Sequence, residues 1–237
     1  MKLSIIIPCY NESATIVELL SLVDKIRLPQ GLNREVLIIN DGSSDDTRRL
    51  VQAFIRDKPI FRLINKVNEG KGSAVIQGIK QSTGDIIIIQ DADLELNPQE
   101  IASLVKPIMY QGFNVVYGSR FTKGMNKDQK LIFYVGSWFV TKVANLLYGL
   151  KLTDTSTCYK TFRSSVLKNC ILTEKSFGFD PEITSIIARR KINIFELPVS
   201  YVPRDTKHGK KISYRDGIRA LWILFRNRFK SIGRLVY

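Results

Sequence analysis

Histidine and cysteine are scarce in this chain. His208 stands alone, and Cys9, Cys158 and Cys170 make an odd set with no Cys-x-x-Cys spacing. That argues against a zinc site and against a disulfide framework. His208 lies in a basic stretch and is assigned no catalytic role. Internal repeats and low-complexity tracts are absent. So are a Walker A loop and a dinucleotide fingerprint after the first strand. The longest apolar stretch, 131–150, is broken by Lys142 and is a poor candidate for the roughly 20 apolar residues of a membrane span. No leader precedes the first strand at 3–7, so cytoplasmic placement is expected. Acidic residues are in deficit too. Asp and Glu number 22 against 36 Lys and Arg, a net charge of +14. That excess calls for an anionic partner: nucleic acid, a phosphorylated small molecule or an acidic membrane face.

The hydrophobic share, 44%, is ordinary for a folded protein, so 237 residues make one large domain or a domain with an appendage. The charge is uneven. Residues 203–237 carry ten basic and two acidic side chains, a net +8, leaving +6 for residues 1–202. Two anionic partners are therefore expected, one for the body and one for the tail.

Apolar runs at 3–8, 35–39, 61–65, 86–89 and 114–118 predict strands. Helical spacing separates them at 16–26, 45–55, 73–81 and 98–110. Near-continuous Ile and Val runs suit strands covered on both faces, so the fold class is α/β with a mostly parallel sheet and crossover helices. Beyond Gly118 the pattern changes. Residues 121–130 read as a basic loop, 130–150 as a helix with a wide apolar face, and 153–163 as a mixed segment. A helix at 181–190, a late strand at 192–201, a basic loop at 204–211 and a last helix at 214–229 follow.

In an open parallel sheet, ligands bind beyond the carboxyl ends of the strands. Asp91-Ala92-Asp93 sits there, after the fourth strand, with Glu95 close behind. Two carboxylates two residues apart repel unless a cation sits between them, and oxygen ligands suit Mg²⁺ or Mn²⁺. Helix-capping acids ahead of Pro98 are the plainer alternative. Asp41, after the second strand, reads either as part of an Asp-Gly turn or as an acceptor for a base or ribose. Gly70-Lys71-Gly72 reads either as a flexible turn or as close backbone approach to a phosphate at a helix start.

The strand-end clusters together carry more than any one alone. Ile6-Ile7-Pro8-Cys9-Tyr10-Asn11-Glu12, Asn40-Asp41-Gly42-Ser43-Ser44-Asp45 and Asp91-Ala92-Asp93 resemble the nucleotide-sugar half of the family-two glycosyltransferases. Gly118-Ser119-Arg120-Phe121, the segment 154–163, Phe177-Gly178-Phe179-Asp180-Pro181-Glu182 and Gly209-Lys210-Lys211-Ile212 resemble its polyprenyl-phosphate branch, and the likeness covers nearly the whole chain. The resemblance implies the GT-A fold: Rossmann-like, mostly parallel, with helices on both faces and C-terminal amphipathic helices. It also implies inverting, metal-dependent transfer of one sugar, mannose or glucose, from a nucleotide-diphosphate sugar to polyprenyl or dolichyl phosphate.

Roles follow residue by residue from that resemblance. Pro8, Tyr10, Glu12, Asp41, Lys71, Asp91, Ala92 and Asp93 would hold the nucleotide sugar, with Arg204 and Lys210 closing over it from a loop. Asp91, Asp93 and Glu95 would hold Mg²⁺ or Mn²⁺; relatives often carry Gln at the last place. Asp93 and Arg120 would be the catalytic pair. Arg120 would meet the acceptor phosphate, with a lysine from Lys123, Lys127 and Lys130 as second contact, Lys130 being chosen. Asp154 and Glu182 would assist the acceptor, orient Arg120, or simply partner nearby cations, and the last is favoured.

The domain expectation is a transferase domain at 1–211, with a nucleotide-sugar half (1–118) and an acceptor half (119–211) carrying an interfacial helix at about 130–150. A basic amphipathic membrane-associating tail follows at 212–237. On a helical wheel Ile218, Leu221, Trp222, Phe225 and Phe229 share a face, with Arg215, Arg219, Arg226 and Lys230 beside it. Peripheral attachment to the cytoplasmic face is expected, with a membrane-anchoring protein as a further candidate partner. A non-lipid saccharide acceptor is the first rival. Nucleic-acid binding is the remote one, since no binding motif accompanies the charge.

Overall fold

The computed structural model describes residues 1–122, 124–125, 130–203 and 214–231. Its centre is a seven-stranded sheet. The expected strands appear as β1 (Lys2–Cys9), β2 (Asn33–Asp41), β3 (Phe61–Lys66), β4 (Ile86–Ile89), β5 (Val115–Ser119) and, late in the chain, β7 (Ile194–Pro198). A further strand, β6 (Lys160–Arg163), completes the order β3-β2-β1-β4-β6-β5-β7. All neighbours pair in parallel except β6, which runs antiparallel to both β4 and β5.

Alternation along the strands builds a core on each face. Ile5 and Ile7 of β1 and Ile86 and Ile88 of β4 pack against α1 (Ile16–Asp24), α2 (Thr47–Ile55) and α4 (Ile101–Tyr110). Ile6, Ile87 and Ile89 pack on the other face, against α3 (Lys71–Gln81), α6 (Ser164–Lys168) and α7 (Phe179–Arg189). Each buried Ile contributes on the order of 1.5–3 kcal/mol relative to exposure. Crossover helices on both faces explain why the central strands read as unbroken apolar runs.

The sequence reading missed β6 and α6. β6 is four residues long, Lys-Thr-Phe-Arg, and has no apolar run to mark it. It lies between two fully buried strands, so its Lys160 and Thr161 are buried by position. The helix expected at 98–110 opens as a 3-10 turn, Pro98–Glu100, where Asn97 accepts a hydrogen bond from Gln99 N at 3.0 Å. The basic loop expected at 204–211 lies outside the described residues.

Two helices form a further layer. α5 (Leu131–Tyr148) buries Val140, Thr141 and Ala144, and α8 (Tyr214–Phe229) buries Ile223, Leu224 and Asn227. They meet through Val140, Ala144 and Leu224, and the Tyr148 hydroxyl donates to Leu224 O at 2.6 Å. Among the described residues, α5 is long and apolar enough to cross a membrane by length and composition. Length and composition are all that mark it, and Lys142 lies within it. The apolar face of α8 points outward, with Ile218, Trp222, Phe225 and Phe229 exposed. Its expected basic stripe is partly consumed. Arg219 and Arg226 each pair at 2.9 Å with Glu174, a carboxylate only 5% exposed that requires counter-charge.

α3 lies close on β1 because Gly78 lets it. A Cβ at Gly78 would stand 2.4 Å from Ile6 Cγ2. Gly78→Ala should therefore destabilise the fold by about 1–3 kcal/mol through overpacking, seen as a lower urea midpoint at unchanged slope.

Candidate active site

The carboxyl ends of the parallel strands open onto a cleft of about 270 Å³. Ten of the expected site residues line it. Pro8, Tyr10 and Glu12 follow β1, Asp41 ends β2 and Lys71 opens α3. Asp91, Ala92, Asp93 and Glu95 follow β4, and Arg120 follows β5. Lys130 is exposed at the start of α5 and does not line this cleft. Arg204 and Lys210 lie outside the described residues, as do Lys123 and Lys127.

Side chains stitch the loops together. Asn11, at φ +54°, accepts from Ser44 N at 2.9 Å, and its own N–H donates to Ser43 Oγ at 3.0 Å. Glu12 N donates to Thr47 Oγ1 at 2.8 Å. After β4, Asp93 Oδ1 accepts from Glu95 N at 3.1 Å across Leu94, which is held at φ +62°. That left-handed conformation costs a non-glycine residue about 1–2 kcal/mol, and such strain gathers at functional sites.

Asp41 is 3% exposed. Its carboxylate accepts from Lys66 Nζ at 2.6 Å, Glu69 N at 3.1 Å and Gly70 N at 2.8 Å. Three of its roughly four lone-pair sites thus brace the loop before α3. The start of α3 is closed as well. Ser73 N donates to Lys175 O at 2.9 Å, and a Cβ at Gly72 would stand 2.2 Å from Glu174 O. These glycines admit the chain at 174–176, a packing role that neither reading of Gly70-Lys71-Gly72 gave them.

Lys71 instead reaches into the cleft. Its Nζ lies 2.6 Å from Asp91 Oδ1 and 2.7 Å from Oδ2, and 2.9 Å from Cys158 Sγ. Burial alone would lower the Lys71 pKa, but the Asp91 carboxylate outweighs it and holds the pKa well above its usual value. Burial pushes the Cys158 thiol well up, so it stays protonated. Among the described residues, no three or more His, Cys, Asp or Glu are grouped to hold a metal. The expected set of Asp91, Asp93 and Glu95 lines one cleft but is not preassembled. Mutual repulsion disfavours such a cluster, and Asp91 lies on Lys71.

Arg120 is held from behind. Its Nε and Nη2 donate to the two Asp154 oxygens at 2.7 and 3.0 Å, a bidentate pair, and Asp154 is fully buried. The ring centroids of Phe121 and Tyr201 lie 5.0 and 5.2 Å from the guanidinium carbon. Burial would lower the Arg120 pKa, but Asp154 raises it above the usual arginine value. Asp154 is thus the partner of a nearby cation, the favoured reading, and that cation is Arg120. Glu182 is structural: it accepts from Thr173 N, Thr173 Oγ1 and Glu174 N, and burial pushes its pKa up.

The residue passed over is Asp180. It lines the cleft, and its Oδ1 accepts from the wholly buried Lys160 at 2.5 Å. Its signal was its place two residues before Glu182 in a motif already singled out. A second cavity, about 430 Å³, shares Glu95, Arg120, Ser156, Phe177 and Asp180 with the first. It is lined by apolar side chains of α5 and α8, among them Ile132, Phe139, Ile218 and Leu221.

Comparison with known proteins bears on the family and the fold. The sequence profile of glycosyl transferase family 2 matches residues 4–171. Undecaprenyl-phosphate 4-deoxy-4-formamido-L-arabinose transferase of Klebsiella pneumoniae is 29% identical over 211 residues, 88% of this chain and 62% of that protein. Dolichol-phosphate mannosyltransferase of Pyrococcus furiosus is 38% identical over 124 residues, 52% of this chain and 34% of that protein. The chain thus spans less than two thirds of the length of these relatives. In structure it resembles glucosyl-3-phosphoglycerate synthase from Mycobacterium tuberculosis in complex with Mn²⁺, UDP and phosphoglyceric acid. The TM-score is 0.72 at 18% identity, covering 97% of this chain and 79% of that one. The same enzyme with Mg²⁺ and UDP gives 0.71 at 19% identity, over 95% and 79% of the two chains. These likenesses show a shared GT-A-like fold, and the profile match, spanning well over half of the sequence, shows that the chain belongs to glycosyl transferase family 2.

Proposed function

We propose that this chain moves one sugar from a nucleotide-diphosphate donor to a polyprenyl phosphate. The observation that carries the reading is the meeting of two unlike cavities at Arg120. A cleft rich in charged side chains suits a nucleotide sugar. An apolar groove between α5 and α8 suits a lipid tail, and a guanidinium where they join suits the phosphate at its head. A non-lipid acceptor would have no use for that groove, and a nucleic acid would be repelled by the acids of the cleft.

The donor side fits a divalent ion. Asp91, Asp93 and Glu95 offer hard oxygen ligands, and Mg²⁺ is commonly held by one or two carboxylates plus substrate phosphates, so no preformed three-carboxylate cage is needed. When bound, the ion supplies charge neutralisation to the departing diphosphate. The chain's own residues do the rest. Pro8, Tyr10, Glu12 and Asp41 wall the nucleoside side of the cleft. Asp154 holds the Arg120 fork in one orientation, so it is pre-aimed at a phosphate. The acceptor phosphate is already an anion at neutral pH, so its oxygen attacks the anomeric carbon without a general base. The glycosyl bond to the nucleoside diphosphate breaks as the new one forms, with inversion. Catalysis then rests on positioning and electrostatics. Lys130 is the proposed second phosphate contact, and Arg204 and Lys210 are proposed to close over the donor. Mannose or glucose is the proposed sugar, from GDP or UDP.

The outward apolar face of α8 and the exposed Ile132, Trp138 and Leu146 of α5 support peripheral attachment to a membrane surface, where such a lipid is reached; the cytoplasmic face is the proposed side. On this reading 1–211 is the transferase and 212–237 its membrane-associating tail.

Transfer from labelled GDP-mannose and UDP-glucose to polyprenyl phosphate with Mg²⁺ or Mn²⁺ tests the function; no lipid product from any hexose donor would reject it. Asp93→Ala should lower turnover at least about 100-fold. Asp154→Asn keeps the shape but loosens the fork, and should raise KM for the lipid phosphate about tenfold while KM for the donor holds. Trp222→Glu with Phe225→Glu should leave the protein unbound in flotation with vesicles that capture the wild type.

A further inference from the structure

Lys71 occupies both oxygens of Asp91, at 2.6 and 2.7 Å, with the two side chains only 20% and 14% exposed. The contact is not the chance resting place of a long side chain. Lys71 is the first residue of α3. The chain at 174–176 packs so closely on Gly70 and Gly72 that a Cβ at either would lie 2.6 Å from Lys175 O or 2.2 Å from Glu174 O. Ser73 N is bonded to Lys175 O, which fixes the same turn. The root of Lys71 is therefore fixed, and its ammonium is aimed at a carboxylate that lines the donor cleft beside it.

We propose that Lys71 is a built-in counter-ion that holds Asp91 until the donor diphosphate arrives, making metal binding and nucleotide binding mutually dependent. The inference rests on the reading of Asp91 as a metal ligand. In the empty cleft a divalent ion must take Asp91 from an ammonium in direct contact, at a cost in charge attraction. A diphosphate changes that balance. Its anionic oxygens give the Lys71 ammonium a new partner within the same cleft, and Asp91 is released to the metal. By linkage, the factor by which diphosphate tightens metal is the factor by which metal tightens diphosphate. The inference thus makes Lys71 a positioning residue that sets the order of loading.

The test measures binding, not turnover. Mn²⁺ affinity is read from the electron paramagnetic resonance signal of free Mn²⁺, with the full chain alone and with UDP or GDP. Wild type should bind Mn²⁺ at least about tenfold more tightly with one of the nucleotides than without. Lys71→Met should bind Mn²⁺ alone about tenfold more tightly than wild type, and its added gain from nucleotide should shrink. Lys71→Gln is the second neutral variant should the methionine impair folding, and Lys71→Arg should retain the wild-type coupling. Unchanged or weaker binding of Mn²⁺ alone by the folded neutral variants would overturn the proposal and leave Lys71–Asp91 a structural ion pair. Asp91→Asn and Asp93→Asn separate the two failures. If neither weakens Mn²⁺ binding in the presence of nucleotide, it is the metal site itself that is wrong.

Discussion

Four carboxylates stand at one edge of the sheet, and each is closed by a cation from another segment. Asp41 meets Lys66 at 2.6 Å, Asp91 meets Lys71 at 2.6 Å, Asp154 meets Arg120 at 2.7 Å and Asp180 meets Lys160 at 2.5 Å. Removing one partner of such a buried pair typically costs about 3–5 kcal/mol, because the other charge is left in a poor solvent. Loop positions around the cleft are thus coupled through charge. The β2 end braces the turn before α3, the β4 end meets α3 itself, and β5 is joined to the chain ahead of β6.

The same constraint explains the division of labour among the basic residues. A pair in which the cation is wholly buried, Lys160 with Asp180, serves the fold and presents its carboxylate to the cleft. A pair in which the carboxylate is wholly buried, Asp154 with Arg120, presents its cation. Which partner is buried decides which sign the site offers. Further out, Glu174 draws Arg219 and Arg226 of α8 onto the body. The chain beside Glu174 also closes the start of α3, so α8 and the strand-end cleft share one packed element. Part of the tail's positive charge is therefore internal bookkeeping rather than a surface for anions.

The parallel half of the fold was legible because its physics is local. Ile and Val runs such as Ile5-Ile6-Ile7 and Ile86-Ile87-Ile88-Ile89 suit strands buried on both faces, and residues just after these runs line the cleft. The chain beyond β5 was less legible. β6 has no apolar pattern of its own, since Lys160 and Thr161 are buried only because β4 and β5 flank them. Asp180 was overlooked beside Glu182 for a related reason. From sequence they are two acids in one helical turn, whereas in space one lines the cleft and the other is bonded to Thr173 and Glu174.

The sequence by itself determined the parallel strands, the family likeness and the identity of the strand-end residues, because hydrophobic period and turn chemistry act between near neighbours. The tertiary structure alone decided which acid meets which base. Asp91 joins Lys71 across 20 positions, Arg120 joins Asp154 across 34, and Arg226 joins Glu174 across 52. Those pairings depend on where distant segments are buried together, and the low-dielectric surroundings that strengthen their Coulomb attraction exist only once the chain has folded.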